Sequence, residues 1–443
     1  MLKTFKKGGV HPAENKFSAH APIVTAELPK VAIIPLGQHI GAPASPLVQK
    51  GDEVKVGQLI AQSSGFVSAN IHASVSGKVL KVDSAMDASG FSRQAVHITV
   101  DGDEWLDTID RSPEIVKEIK ATPEEIIKKV QEAGIVGLGG ATFPSHIKLS
   151  VPPGKKAEVL LINGVECEPY LTADHRLMIE KGEEVLIGTK LLMMALGVTK
   201  AYVGIENNKP DAISHLKEIA AAYEGIEIVP LKVKYPQGGE KQLIKAVINR
   251  EVPSGALPID VGAVVHNVGT AFAVYEAVQK NKPLFERVVT VTGKSVKNPS
   301  NFLVRIGTPT SQLIEAAGGV PEDTGKVVSG GPMMGKALKS LDAPIAKGSS
   351  GVLLFQEAES GRRQVEPCIR CGKCVSVCPM GLEPFLLMTY SEKQMWEESE
   401  QERTMDCIEC GSCMYTCPAD RPLLDYIRLG KAKVGNIIRT RKQ

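Results

Sequence analysis

Cys368-Ile369-Arg370-Cys371-Gly372-Lys373-Cys374-Val375-Ser376-Val377-Cys378-Pro379 is the stretch on which the fold turns, because the chain writes its pattern twice. The second copy is Cys407-Ile408-Glu409-Cys410-Gly411-Ser412-Cys413-Met414-Tyr415-Thr416-Cys417-Pro418. Both read C-x2-C-x2-C-x3-C-P, the run of bacterial cubane iron–sulfur proteins. Three thiolates two residues apart wrap one corner of a cluster, and the fourth, followed by proline, reaches the neighbouring cluster. The doubled run therefore predicts two 4Fe–4S clusters. One would sit on Cys368, Cys371, Cys374 and Cys417, the other on Cys407, Cys410, Cys413 and Cys378. Zinc is the main rival, but its spacing is usually two separated C-x2-C pairs. Disulfides need an oxidising compartment, and no apolar run follows the lysines of Met1–Val10 to form an export signal.

The 443 residues are too many for one core and suggest roughly three domains. A net charge of +2 argues against a nucleic-acid partner, which would call for a basic face. No stretch reaches the roughly eighteen apolar residues of a membrane helix. Val185–Leu196 comes nearest, but Lys190 breaks it, so it reads as a packed helix of a soluble protein in a reducing compartment. Arg421–Gln443 carries seven Lys/Arg against one acid, Asp425. It reads as a solvated basic tail, or alternatively as a dock for an acidic partner or lipid surface.

Up to about Leu106 the chain alternates short apolar runs with turn residues. Val31–Pro35, Leu59–Ala61, Val75–Val82 and Ala95–Val100 are expected strands. Lys50–Ala61 resembles the barrel-sandwich fold of biotinyl and lipoyl carriers, yet Gln62–Ser74 holds no lysine to carry a swinging arm. This region is therefore expected to be scaffold or docking surface. Gly8-Gly9-Val10-His11-Pro12 reads as a compact turn.

Thr122, Pro123 and Glu125 write a capping box for a helix that Gly134 ends. Val136-Gly137-Leu138-Gly139-Gly140-Ala141-Thr142-Phe143-Pro144 follows, with Lys148 beyond it. Glycines let backbone approach a ligand and offer N–H groups to a phosphate, although the ordinary dinucleotide fingerprint is absent. Taken alone, such a turn is as readily structural. Strand-like and helix-like segments then alternate (Glu158–Asn163, Glu183–Leu196, Lys200–Ile205, Pro210–Tyr223, Ile226–Leu231), predicting a parallel sheet covered by helices. Polar residues gather at the strand ends, where such sheets bind ligands: Asn163, Glu166 and Glu168; Glu206 to Asn208; Tyr235 to Glu240; His266-Asn267. Beyond Arg287 the apolar period becomes two, and Thr310 is expected to cap a short helix, giving a small β-grasp module. Ser329–Gly335 is a second glycine loop, whose methionines read as contact residues. Leu382–Gln401, between the cysteine runs, is mostly helix-forming. Cys167, the ninth cysteine, reads as a buried free thiol between two acids.

The order of these motifs resembles the NADH- and flavin-binding subunit of respiratory complex I. The doubled cluster run, the front barrel-sandwich region and the Gly-Gly-Val-His-Pro opening are similar to a nearer family, the RnfC proteins of the Rnf (Rsx) electron-transport complex. The resemblance covers the whole chain and implies a multidomain α/β protein. Its parts would be a barrel-sandwich-like domain over 1–120, a Rossmann-like flavin and NADH domain over 121–285, a β-grasp (SLBB-like) module over 286–355, and a helical double 4Fe–4S ferredoxin domain over 356–443. It implies FMN as cofactor, held by Gly137, Gly139, Gly140, Lys148, Asn163, Glu166, Glu168, Asn267 and Thr270. It implies NADH as substrate, with Phe143 stacking on the nicotinamide and Glu168 and Glu240 facing the nucleotide. Leu138, Val165, Gly239 and His266 depart from the complex I protein, which has arginine, aspartate, glutamate and asparagine there. It also implies attachment to the cytoplasmic side of the cell membrane through other subunits, a ferredoxin-like one among them. Two functions are then open: an enzyme moving a hydride from NADH to FMN and single electrons into the clusters, or a non-catalytic relay without its own NADH or FMN site.

Overall fold

The computed structural model describes residues 2–441. The repeated glycine, serine and aspartate turns of the front region fold it into two facing antiparallel sheets. One orders the strands Val31–Pro35, Ser92–Gly102, Ser76–Met86 and Glu53–Val54; the other orders Ser45–Pro46, Leu59–Gln62 and Ile71–His72. Ile34, Ile60, Ile71, Val79 and Ile98 fill the space between them.

Thr122 caps the helix Pro123–Glu132 with both halves of the capping box in place, an arrangement contributing about 1 kcal/mol. The following sheet is wholly parallel, in the order Ile226–Leu231, Ala201–Glu206, Val159–Asn163, Ala263–Asn267. By chain order that is 3-2-1-4, the order with which a doubly wound sheet begins. The strands are nearly continuous Val, Ile and Leu because helices, among them Gly182–Leu196 and Val268–Gln279, cover them.

The period-two region builds a six-stranded mixed sheet, with Glu286–Thr292 between Ser300–Arg305 and Gly351–Gln356, and the helix Thr310–Ala316 packed on it. Thr310 is not the cap expected of it. Pro309 occupies that position, and the Thr310 hydroxyl donates instead to the Ala343 carbonyl at 2.7 Å. The cluster domain is helical, with Pro384–Glu392 and Trp396–Gln401 between the cysteine runs. The basic terminus is a helix too, Leu423–Arg441, burying Leu423, Leu424, Ile427 and Val434. A solvated tail would not do this. Arg421, Arg428, Lys431 and Arg441 pair with Glu392, Glu409 and Glu400 of their own domain. Lys442 and Gln443 lie outside the described residues.

The opening of the chain belongs to no single one of these parts. Lys3 bridges to Leu231 and Val10 to Tyr235, at the edge and mouth of the parallel sheet. Ile23–Thr25 adds a parallel strand beside Ser300–Arg305. Gly8 and Gly9 take positive φ, +65° and +93°, as the expected turn requires, and Val10 pairs with the sheet mouth just beyond them.

Candidate functional site

In the parallel sheet Asn163 and Asn267 end neighbouring strands, directly opposite one another. The strand order reverses between these two, so their ends mark the topological switch point where such sheets take ligands. The glycine turn closes over this point. Gly137 N–H donates to the Phe143 carbonyl at 2.9 Å, and Leu138 N–H to the Thr270 hydroxyl at 2.9 Å. Asn267 caps the helix Val268–Gln279 by accepting from Gly269 N–H at 2.8 Å. Its amide donates to Asp174 at 2.6 Å and to the Asn163 carbonyl at 3.3 Å. A Cβ on Gly139 would lie 3.2 Å from that of Asn267. Gly140 has φ of +129°, yet nothing lies within 4 Å of where its Cβ would be. A conformation that other residues rarely adopt here leaves the backbone facing open space.

Lys148 stands at the rim, donating to Glu240 at 2.7 Å and to the Val265 carbonyl at 3.0 Å. The Asn163 amide donates to the Gly238 carbonyl at 2.8 Å, joining the first strand end to the Tyr235–Glu240 turn. Gly137, Gly139, Lys148, Asn163, Glu240, Asn267 and Thr270 are therefore gathered at the crevice beyond these strand ends, with Gly140 in the same turn. Phe143, half-buried, closes the glycine turn.

The two acids after Asn163 hold backbone. Glu166, at φ +46°, accepts from Asp174 and His175 N–H at 2.8 and 3.1 Å, fixing the start of the helix Ala173–Glu180. Glu168 accepts from Met333 and Met334 N–H at 3.1 and 2.8 Å, tying this loop to the second glycine loop. Burial outweighs those two donors and pushes the Glu168 carboxyl up to about 7. Lys16, lowered to about 8 mainly by burial, donates to the Glu166, Glu168 and Leu171 carbonyls at 2.8, 2.9 and 2.7 Å. Cys167 accepts from Gly238 N–H at 3.4 Å, and its thiol is pushed up by burial and then by Glu206.

Four of the charged groups here stand in no motif of the sequence. Asp174, raised to about 7 by burial and then by the Glu166 charge, meets Asn267. Arg287, lowered to about 10 by burial, donates to the Lys347 carbonyl and to Leu138 O behind the glycine turn. Lys347, lowered to about 7 by burial, donates to the Asn70 and Gly134 carbonyls at 2.8 and 2.7 Å. Lys16 is the fourth. Asp174 is one of several charged residues at the start of its helix, and Arg287 only the first position of a period-two strand, so neither is set apart by its neighbours.

The crevice is joined to the cysteines. The Tyr235 hydroxyl donates to the Cys410 carbonyl at 2.8 Å, and Gly9 N–H to the Val377 carbonyl at 2.8 Å. Gly8, at φ +65°, presses so close that a Cβ would stand 2.5 Å from the Cys378 carbonyl carbon. The Gln242 amide reaches Met380 Sδ at 3.2 Å. Cys378, Cys407, Cys410 and Cys413 line one apolar cavity with Leu382 and Ile427. Among the described residues no three His, Cys, Asp or Glu side chains converge closely enough to hold a single metal ion. The donor set, four thiols around an apolar hollow, suits a cluster of several atoms.

Fold and site together define an electron-transfer protein that joins a flavin-type nucleotide domain to iron–sulfur ligands. Family models describe the parts: an RnfC barrel sandwich hybrid domain over residues 3–103, a Nuo51 FMN-binding domain over 130–276, an SLBB domain over 288–337, and a 4Fe-4S dicluster domain over 361–418. The RnfC protein of the proton-translocating ferredoxin:NAD(+) oxidoreductase complex of Clostridium ljungdahlii is 51% identical over 98% of this chain and 94% of its own. The Na(+)-translocating counterpart of Acetobacterium woodii is 48% identical over 97% and 96%. The chain belongs to the RnfC family of the Rnf ion-translocating oxidoreductase complexes. Its fold is also shared, at 21% identity and a TM-score of 0.50, with an NAD+-reducing NiFe-hydrogenase chain, over 70% of this chain and 62% of that one. The expected barrel-sandwich, flavin, SLBB and cluster regions are thus all present, as are the expected FMN-type and iron–sulfur domains.

Proposed function

We propose that this chain is the NADH-oxidising, electron-input subunit of a membrane-bound, ion-translocating NADH:ferredoxin oxidoreductase, carrying FMN and two 4Fe–4S clusters. Bound FMN supplies the conversion between two-electron hydride chemistry and the one-electron chemistry of the clusters. The rest falls to the protein. The backbone at Gly139 and Gly140, with Lys148, offers N–H donors and a cation to the cofactor's phosphate, and Gly137 closes the turn that presents them. Asn163, Asn267 and Thr270 fix the crevice floor. Phe143 offers an apolar face to the nicotinamide, and Glu240 a carboxylate to the nucleotide at the rim. Glu166 and Glu168 hold the loop that shapes the crevice, through the helix Ala173–Glu180 and the second glycine loop. The clusters are assigned crosswise, Cys378 serving the second run and Cys417 the first.

The observation that carries this reading is the direct bonding of the switch-point crevice to the cysteine segments, through Tyr235 and Cys410. Electrons collected at the crevice have a packed path to the first acceptor. No helix among the described residues is long and apolar enough to cross a membrane. In this reading the chain attaches at the cytoplasmic side of the membrane through other Rnf subunits, with a ferredoxin-like subunit as one electron partner. The anaerobically purified protein should contain FMN and about eight iron atoms, the number two cubanes require, and its flavin should bleach with NADH. FMN-loaded protein that NADH cannot bleach would leave a non-catalytic relay.

A further inference from the structure

The two cysteine runs are copies in sequence and in backbone. Arg370 and Glu409 occupy the same place after the first cysteine, both left-handed at φ +54° and +57°. Gly372 and Gly411 follow at +71° and +78°, and each precedes a one-turn helix, Lys373–Ser376 and Ser412–Tyr415. Their surroundings differ. The second run is covered by its own chain. Ile408 packs with Tyr235, Val10 and Cys410, and Glu409 is clamped by Arg428 at 3.1 Å and Lys431 at 2.9 Å from the terminal helix.

The front half of the first run is bare. Every residue from Gly361 to Lys373 is exposed, Cys368 and Cys371 among them, and Ile369, equivalent to Ile408, is 68% exposed. Arg370 stands where the other copy has its clamped glutamate. Arg363, Arg370 and Lys373 make no ion pair among the described residues, and Arg362 pairs only with Asp425. Glu366 is the one acid of the segment.

We infer that Val365, Ile369, Arg363, Arg370 and Lys373 form the docking surface of an acidic one-electron iron–sulfur carrier, which takes electrons from the cluster on the Cys368 run. The partner's chemistry follows from the internal copy. Where the chain covers its own run, an acid in the loop meets cations; where it does not, a cation in the same place awaits acids. Val365 and Ile369 supply the apolar centre and the cations the rim, the usual anatomy of a transient interface. The step transfers one electron: the Cys368-run cluster is oxidised, the carrier's cluster is reduced, and no bond or proton moves. The order of the two clusters follows too, since the Cys407, Cys410, Cys413 and Cys378 cavity is bonded to the crevice and the Cys368–Lys373 face is open to a partner.

This rests on the function proposed above, and the test separates the two. NADH would be the reductant, and the acceptor either an acidic bacterial-type dicluster ferredoxin or a small uncharged quinone. Arg370→Glu with Lys373→Glu, and separately Arg363→Glu, which lies outside the cysteine run, should slow ferredoxin reduction at least tenfold at low ionic strength. The deficit should shrink as salt screens the rim. Quinone reduction through Arg363→Glu should match wild type. An unchanged ferredoxin rate in all variants, an equal fall with both acceptors in Arg363→Glu, or wild type that reduces quinone but not ferredoxin would overturn the docking surface. Wild type that reduces neither would overturn the NADH-oxidising function instead.

Discussion

The Tyr235 hydroxyl sits 2.8 Å from the carbonyl oxygen of Cys410, with both residues buried. The turn that backs onto Asn163 is thereby bonded to a cluster-ligand segment. Tyr235→Phe keeps the ring and leaves the carbonyl without this donor, a loss of about 1–3 kcal/mol for a buried acceptor. We expect a lower melting temperature, unchanged FMN content and an altered EPR signal from the second-run cluster alone. An unaltered signal would make Tyr235 a packing residue only.

Cys378 lines the cavity of Cys407, Cys410 and Cys413, although it belongs to the other run. Cys378→Ser should therefore damage the second-run cluster and spare the one on Cys368, Cys371 and Cys374. Iron content and EPR of the reduced variant check this; the opposite pattern would refute the crosswise assignment.

At Gly139 there is 3.2 Å between a notional Cβ and Asn267, so Gly139→Val must push into the crevice floor or away from it. Lys148→Ala removes the rim cation and leaves Glu240 without its partner. Both variants should lose FMN while iron stays near eight atoms per chain, on the order expected of two cubanes. Retention of FMN by both would place the flavin elsewhere.

Phe143 closes the glycine turn through its carbonyl, which Phe143→Ala keeps. Removing the ring should leave FMN and iron in place and raise the NADH concentration for half-maximal bleaching about tenfold, if ~1.4 kcal/mol of contact is lost. Anaerobic stopped-flow absorbance would show the shift, and an unchanged NADH dependence would remove Phe143 from the nucleotide site.

Glu168 gives the fold a pH dependence of definite sign. Its folded value is raised from 4.5 to about 7, first by burial, so folding favours the protonated form. The folded state is favoured most below the unfolded value and loses that advantage as pH rises from 4.5 to about 7. Glu168→Gln cannot ionise. Wild-type stability should fall relative to this variant across that window and run parallel to it above, as denaturant titrations at several pH values would reveal.

Much of this is legible along the chain, and the exceptions have a common cause. The strands Val31–Pro35 and Ile226–Leu231 and the Thr122 capping box stand where periodicity and cap chemistry put them, because local rules decide such elements. Asn163 and Asn267 are visible as polar strand ends, but their adjacency depends on strand order, which no local pattern carries. Thr310 misleads because a tertiary partner, Ala343, claims its hydroxyl. The basic terminus misleads because its apolar stripe, Leu423, Leu424, Ile427 and Val434, is interleaved with the cations that dominate its composition.

The opening segment also has a bearing on how the chain is made. Residues 3, 10 and 23 meet their partners at 231, 235 and 301, and Gly9 meets Val377. Synthesis runs at about 5–20 residues per second, so this segment, made well before its partners, waits until residue 377 is made before all its pairings can form. Long-range pairings of this kind slow folding, and the waiting strand is exposed to wrong partners meanwhile. The modules can form in turn, but the thread that fastens them is tied last.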